Sequence, residues 1–310
     1  MRLFPDDVVI LALLREYRYL TSGQLSRLTG RSGQVLRRAI RRRLRPGGFV
    51  TDLHRTHPTE EAAYTLGPEG YAFIAHELGC AVADLPFSRK ASRVKSYFWL
   101  HTLLVNEVRI ALAVASRPPT CPIEIERVVP EWEVDPGVRR KAAHHERFIL
   151  SERFKDADGR SLPHRPDCLF LVRPRGATPE RLVAVFLEAD RRTESMRRIR
   201  QKCAAYLVYW RRQRFAAFGA VGMRVLFVLG NIRGDQRVRS MQEELARFTD
   251  ALRDDAKARA FRGCFRFAQA HALTSETVLT QPIWFDADNQ PRLFFQPVRP
   301  LEEHIEEAAQ

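Results

Sequence analysis

Apolar positions recur with two different periods along this chain, and the change from one to the other divides it. Over residues 8–17 the apolar side chains at 9, 10, 11, 13 and 14 fall on one face of a helix. Thr21 and Gln24 stand at capping-box spacing and open a second short helix through Leu25 and Leu28. Thr29-Gly30-Arg31 reads as a turn. Ser32 caps a third helix that runs to about Leu44, with Val35, Leu36, Ala39, Ile40 and Leu44 expected to face inward. Pro46-Gly47-Gly48 stops it. Residues 49–51 and 63–66 read as strands of a hairpin whose loop tip lies around 54–61. A fourth helix runs from Gly67 through Leu78. Three helices followed by a hairpin describe a winged helix-turn-helix, expected over residues 1–80.

A linker follows at 81–95, with Pro86 and the basic run from Arg89 to Lys95. Beyond it the pattern predicts a long amphipathic helix at 97–115 and strands near 123–130, 146–154, 167–173 and 182–189. A helix at 194–212, a strand at 224–229, a helix at 237–257 and a strand at 264–268 complete it. The order αββββαβαβ predicts an α/β (α+β) unit over residues 96–300, a mixed sheet with helices on its faces. Residues 301–310 form an acidic tail, expected to fray.

Composition bounds the class. A chain of 310 residues with 45% hydrophobic content suits two domains with real cores. No stretch reaches the uncharged apolar length of a membrane helix, so no membrane partner is expected. The start, Met1-Arg2-Leu3-Phe4-Pro5-Asp6-Asp7, lacks a signal peptide's apolar core. The five cysteines are scattered and form no CxxC pair, which points to reduced thiols in a cytoplasmic protein rather than to zinc.

Charge changes the picture. The net charge is +14, with 51 Lys plus Arg, mostly Arg. An arginine-rich proteome would produce the same total, so placement decides. Residues 17–51 contain no acid but carry Arg18, Arg27, Arg31, Arg37, Arg38, Arg41, Arg42, Arg43 and Arg45. Helical spacing puts Gln34, Arg37, Arg38, Arg41 and Arg42 opposite the apolar stripe. In a helix-turn-helix that face enters the major groove of double-stranded DNA. Gln34 suits adenine, and Arg37 or Arg38 suits guanine. Arg31, Arg42, Arg43 and Arg45 suit phosphates.

A second constellation is acidic. Asp167 opens a predicted strand, and Glu188 and Asp190 close the next. Two such strands can gather carboxylates around Mg²⁺ or Mn²⁺, which polarises a phosphate and activates water. The nuclease pattern ends in a lysine two residues after the glutamate, where this chain has Asp190. Lys202 on the following helix is the nearest substitute, with Tyr206 one turn beyond it. Glu107 on the long helix is a candidate fourth acid. The alternative is plain: the acids pair with Arg165, Arg191 or Arg192 as ion pairs.

These residues resemble the replication-relaxation family of plasmids and integrative mobile elements. The likeness lies in the N-terminal winged helix, the helix segment at 101–109, Arg165-Pro166-Asp167, the run from Phe186 to Glu194, and the helix with Lys202 and Tyr206. It implies a DNA-binding accessory role in replication, relaxation or mobilisation, with a relaxase or replication protein as partner. It also implies a second domain related to the PD-(D/E)xK, restriction-endonuclease-like nucleases. Asp190 departs from that pattern, so the expected protein binds DNA without cutting. Two alternatives follow: a Mg²⁺- or Mn²⁺-dependent endonuclease using Asp167, Glu188, Asp190 and Lys202, and a winged-helix repressor that binds as a homodimer.

Overall fold

Helix α1 (Pro5–Tyr17) opens on a proline at its first turn and buries Ile10, Leu11, Leu14 and Tyr17. The structure, a computed structural model, describes residues 3–53, 61–85, 95–138, 144–156, 158–175, 181–191, 194–230, 236–252 and 255–295. The expected loop tip at 54–60, most of the basic linker, Arg192 and the acidic tail lie outside the described residues. The chain divides into two compact units, residues 1–110 and 111–310.

In the first unit, strand β1 (Leu20–Thr21) leads into α2 (Ser22–Thr29). The Thr21 hydroxyl accepts from the Gln24 N–H at 3.1 Å, and the Gln24 side chain accepts from the Thr21 N–H at 3.0 Å. Gly30, at a positive φ of 69°, ends the helix. Ser32 caps α3 (Gly33–Ala39), which continues through one π turn at Ile40–Leu44. Leu36, Ala39, Ile40 and Leu44 are buried, but Val35 is 52% exposed, which corrects the expected inward set. Val35 sits about 100° around the helix from Leu36, outside the arc that Leu36, Ala39 and Ile40 define.

Strands β2 (Val50–Asp52) and β3 (Ala63–Leu66) pair antiparallel, and β1 joins β3 to complete a small sheet. Helix α4 (Pro68–Glu77) follows. At Gly67 and Gly70 a Cβ would lie 2.2 Å from the carbonyl oxygens of Gly48 and Phe49, so only glycine admits this approach. Helix α5 (Ser96–Ala115) runs on from the first unit into the second. Its Asn106 is fully buried and donates to the carbonyls of Tyr17 and Tyr19 at 3.0 and 2.7 Å. Among the described residues α5 is the one helix long and apolar enough to cross a membrane, and most of it is buried in the protein.

The second unit is built on a seven-stranded mixed sheet with flanking helices, as the pattern predicts. Its strands are β4 (Ile123–Pro130), β7 (Cys168–Pro174), β8 (Leu182–Asp190), β9 (Ala220–Leu229), β10 (Phe265–Gln269), β11 (Trp284–Phe285) and β12 (Pro291–Arg292). The order is β12-β11-β10-β9-β8-β7-β4, parallel only across β8-β9-β10. Those parallel steps need crossovers. Helix α6 (Met196–Arg211) supplies the first, and α7 (Gln236–Asp250) with α8 (Asp255–Gly263) the second. The single helix expected at 237–257 is thus two. The strand expected at 146–154 is a 3₁₀ turn at His144–Arg147 followed by β5 (Glu152–Lys155), which pairs with β6 (Ser161–His164) in a separate hairpin. Leu169, Phe186, Val225, Phe227, Phe265 and Phe267 point from the sheet into one core with Tyr206, Met241, Leu245 and Phe261 of the helices.

Candidate nucleic-acid interface and carboxylate site

The first candidate site is built on α3. With Leu36, Ala39, Ile40 and Leu44 inward, the opposite face presents Gln34, Arg37, Arg38, Arg41 and Arg42, all exposed. A groove of about 350 Å³ lies beside it, lined by these residues together with Arg45, Asp52 and Tyr64 of the β2–β3 hairpin side. Arg45 pairs with Asp52 at 2.9 Å across this groove. Among the described residues Arg37, Arg38, Arg41 and Arg42 have no acidic partner. Four guanidiniums crowded on one helix face repel one another, and a polyanion relieves that cost. The π turn lies within this run, and its wider winding shifts Arg41, Arg42 and Arg43 around the axis relative to a regular helix.

Like Arg45, two more of the arginines expected at phosphates have acidic partners. Arg43 turns towards α1 and donates to both oxygens of Asp7, at 2.8 and 3.1 Å, and its guanidinium lies 5.0 Å from the Phe4 ring centre. The Asp7 carboxylate is fully buried, so a buried charge recruits the nearest cation. Arg31 pairs with Asp6 in the same way, at the surface. Glu107, a candidate fourth acid, accepts from Gln24 at 2.7 Å and pairs with Arg27 at 2.5 Å, inside the first unit.

The second candidate site is built where β7 begins and β8 ends. These strands are antiparallel, with Cys168 opposite Leu187, so the residue before one and the residue after the other become neighbours. The Asp167 N–H donates to the Leu187 carbonyl at 3.0 Å, and the Asp167 carboxylate accepts from the Ala189 N–H at 2.7 Å. Glu188 is 2% exposed and uses both oxygens: Tyr206 donates to one at 2.8 Å and Lys202 to the other at 2.7 Å. Lys202 and Tyr206 are four apart on α6, hence on one face of it. The Lys202 ammonium also lies 2.9 Å from Glu194. Asp190, also 2% exposed, accepts from Arg237 of α7 through Nε at 2.9 Å and Nη2 at 2.6 Å. The same Nη2 donates to the Glu194 carbonyl at 2.6 Å.

Charge and burial compete here. Burial pushes the Glu188 carboxyl up, to about 7, against the pull of the Lys202 ammonium. The Asp167 charge beside it pushes in the same direction as burial. Lys202 is held protonated, because Glu188, Asp167 and Glu194 together outweigh its own burial. Behind them stands an aromatic wall. His164 of β6 stacks on Tyr209 at 4.5 Å and meets the edge of Tyr206 at 4.7 Å. Burial lowers its pKa to about 3, so it is neutral.

The structure therefore brings Asp167, Glu188 and Lys202 together and ties Asp190 to a different cation. Among the described residues no group of three potential metal ligands stands open. A metal held by all three carboxylates would compete with Lys202 for Glu188 and with Arg237 for Asp190. Arg165, an expected partner of these acids, sits near Glu131, at 3.7 Å, and over Phe148. Sequence reasoning missed Arg237, which lies 47 residues from Asp190 with no spacing signal between them. It also missed His164, whose strand is too short and polar to be read.

No solved structure and no curated protein matches the chain. A family model described as replication-relaxation matches residues 11–222, more than half of the chain and both candidate sites apart from Arg237. The chain belongs to the replication-relaxation family.

Proposed function

We propose that this protein is a DNA-binding accessory factor in the replication, relaxation or mobilisation of a plasmid or integrative mobile element. In this reading the first unit is a winged helix-turn-helix, α3 is its recognition helix and the β2–β3 hairpin is its wing. The observation that carries it is the exposed face of Gln34, Arg37, Arg38, Arg41 and Arg42 along one groove, whose one lining acid, Asp52, is paired with Arg45. Arginine forks match phosphate and guanine edges in two-point contacts. Replacing about four phosphate counterions makes duplex affinity fall roughly a hundredfold between about 50 and 200 mM salt. Fluorescence anisotropy of a labelled duplex titrated at several salt concentrations tests this. A salt-independent affinity counts against it.

The second unit is proposed as a nuclease-like sheet that holds its carboxylates in internal ion pairs and does not cut. One observation favours a second reading, a Mg²⁺- or Mn²⁺-dependent deoxyribonuclease: Asp167, Glu188 and Lys202 lie side by side. It requires Glu188 to be released from Lys202 and Asp190 from Arg237. Supercoiled plasmid incubated with Mn²⁺ separates the two. Intact plasmid with wild type supports the non-cutting reading. Nicking by wild type that Asp167→Ala abolishes supports the nuclease.

A further inference from the structure

We infer that Val35 reads a thymine methyl group in the DNA that α3 engages, an inference that rests on the DNA-binding reading above. Val35 is 52% exposed, whereas Leu36 and Ala39, the other apolar side chains of α3, are buried at 1% and 6%. A single exposed valine is ordinary on a protein surface. Its position and company give this one a direction.

Ser32 caps the helix and Gly33 begins it, so Val35 stands in the first turn of α3. That is the end of a recognition helix that meets base edges. Its exposed neighbours on the helix are Gln34 beside it and Arg38 one turn on. Valine is β-branched and a poorer helix former than alanine, lysine or arginine, so helix propensity does not account for it at an exposed position. Val35 flanks the face of Gln34, Arg37, Arg38, Arg41 and Arg42, whose exposed side chains are polar or cationic and suit phosphate or a hydrogen-bonding base edge. A branched apolar group beside them suits the one apolar feature of the major groove, the C5-methyl of thymine. Gln34, next in sequence, pairs with adenine in the same groove. Together they specify a step rich in A·T at the α3 N-terminus, between guanines or phosphates taken by the arginines.

The test isolates one methyl group. Duplexes that bind the wild-type protein are enriched from a randomised library, and the selected duplex is resynthesised with deoxyuridine in place of each thymine in turn. Deoxyuridine keeps every hydrogen bond and removes only the methyl. At one position wild type should bind the substituted duplex about fourfold more weakly, the worth of one buried methyl. Val35→Ala should bind both duplexes alike, with the salt dependence of wild type retained. Indifference of wild type to every deoxyuridine, with duplex binding intact, overturns the inference alone. The same sensitivity in Val35→Ala also overturns it. If wild type enriches no duplex and shows no salt-dependent binding, the DNA-binding reading falls and the inference falls with it.

Discussion

Lys202 Nζ stands 2.7 Å from the Glu188 carboxylate, with Glu188 almost wholly buried and Lys202 16% exposed. The lysine comes from α6 rather than from the strand that carries the glutamate, fourteen residues away in the chain. Removing one partner of such a pair leaves a charge stranded in a poor solvent. Lys202→Met should therefore cost about 3–5 kcal/mol in urea unfolding at pH 8. Its loss also drives the Glu188 carboxyl further up from about 7. A carboxyl with a raised folded pKa is neutral at low pH and costs stability as pH rises. The variant should thus be less destabilised at pH 6 than at pH 9. Adding Glu188→Gln should recover much of the loss. Equal destabilisation at both pH values contradicts this.

Arg43 and Asp7 form the equivalent pair in the first unit, with Asp7 wholly buried and Arg43 35% exposed. Because Arg43 is partly solvated, the expected cost of Arg43→Ala is smaller, about 2–3 kcal/mol. Measured on folded protein, DNA affinity should change little, since the guanidinium faces α1 rather than the groove. A large loss of affinity with unchanged stability would place Arg43 at the DNA instead.

That contrast shows what the sequence made legible. Helix period, the Thr21–Gln24 box, Ser32, the strand that follows Asp167 and the strand that carries Glu188 are local signals, and each appears where the pattern places it, β7 one residue later than expected. The direction of Arg43 depends on Asp7, 36 residues away, and that of Asp190 on Arg237. No periodicity encodes such distant partners. Val35 fails for a different reason. Apolar character alone marks it as core, yet only the packed arc of Leu36, Ala39 and Ile40 decides which side is inside. The break between α7 and α8 and the β5–β6 hairpin were hidden because short polar elements leave almost no hydrophobic pattern.

His164 supplies a pH-dependent prediction. Its imidazole is buried among Tyr206, Tyr209, Phe154 and Phe186, and burial lowers its pKa from 6.5 to about 3. Below pH 6.5 the unfolded chain takes up a proton that the folded chain refuses, so stability falls as pH falls. This loss is absent above pH 6.5 and complete near pH 3. Each pH unit between them costs about 1.4 kcal/mol. His164→Phe removes this one proton while keeping an aromatic ring. Between pH 6 and pH 4 the variant should lose about 2–3 kcal/mol less than wild type. Parallel stability curves for the two proteins would show that His164 titrates normally in the fold.

In the proposed function the arginine face of α3 binds duplex DNA. The most direct test is a titration of the enriched duplex with wild type and with Arg37→Ala/Arg41→Ala, at one fixed salt concentration, by gel shift. Both residues line the groove and neither has an acidic partner among the described residues, so the variant should unfold at the wild-type temperature. At roughly 1–3 kcal/mol per base contact, specific binding should weaken by several kcal/mol in total. Unchanged affinity in the folded double variant would contradict it.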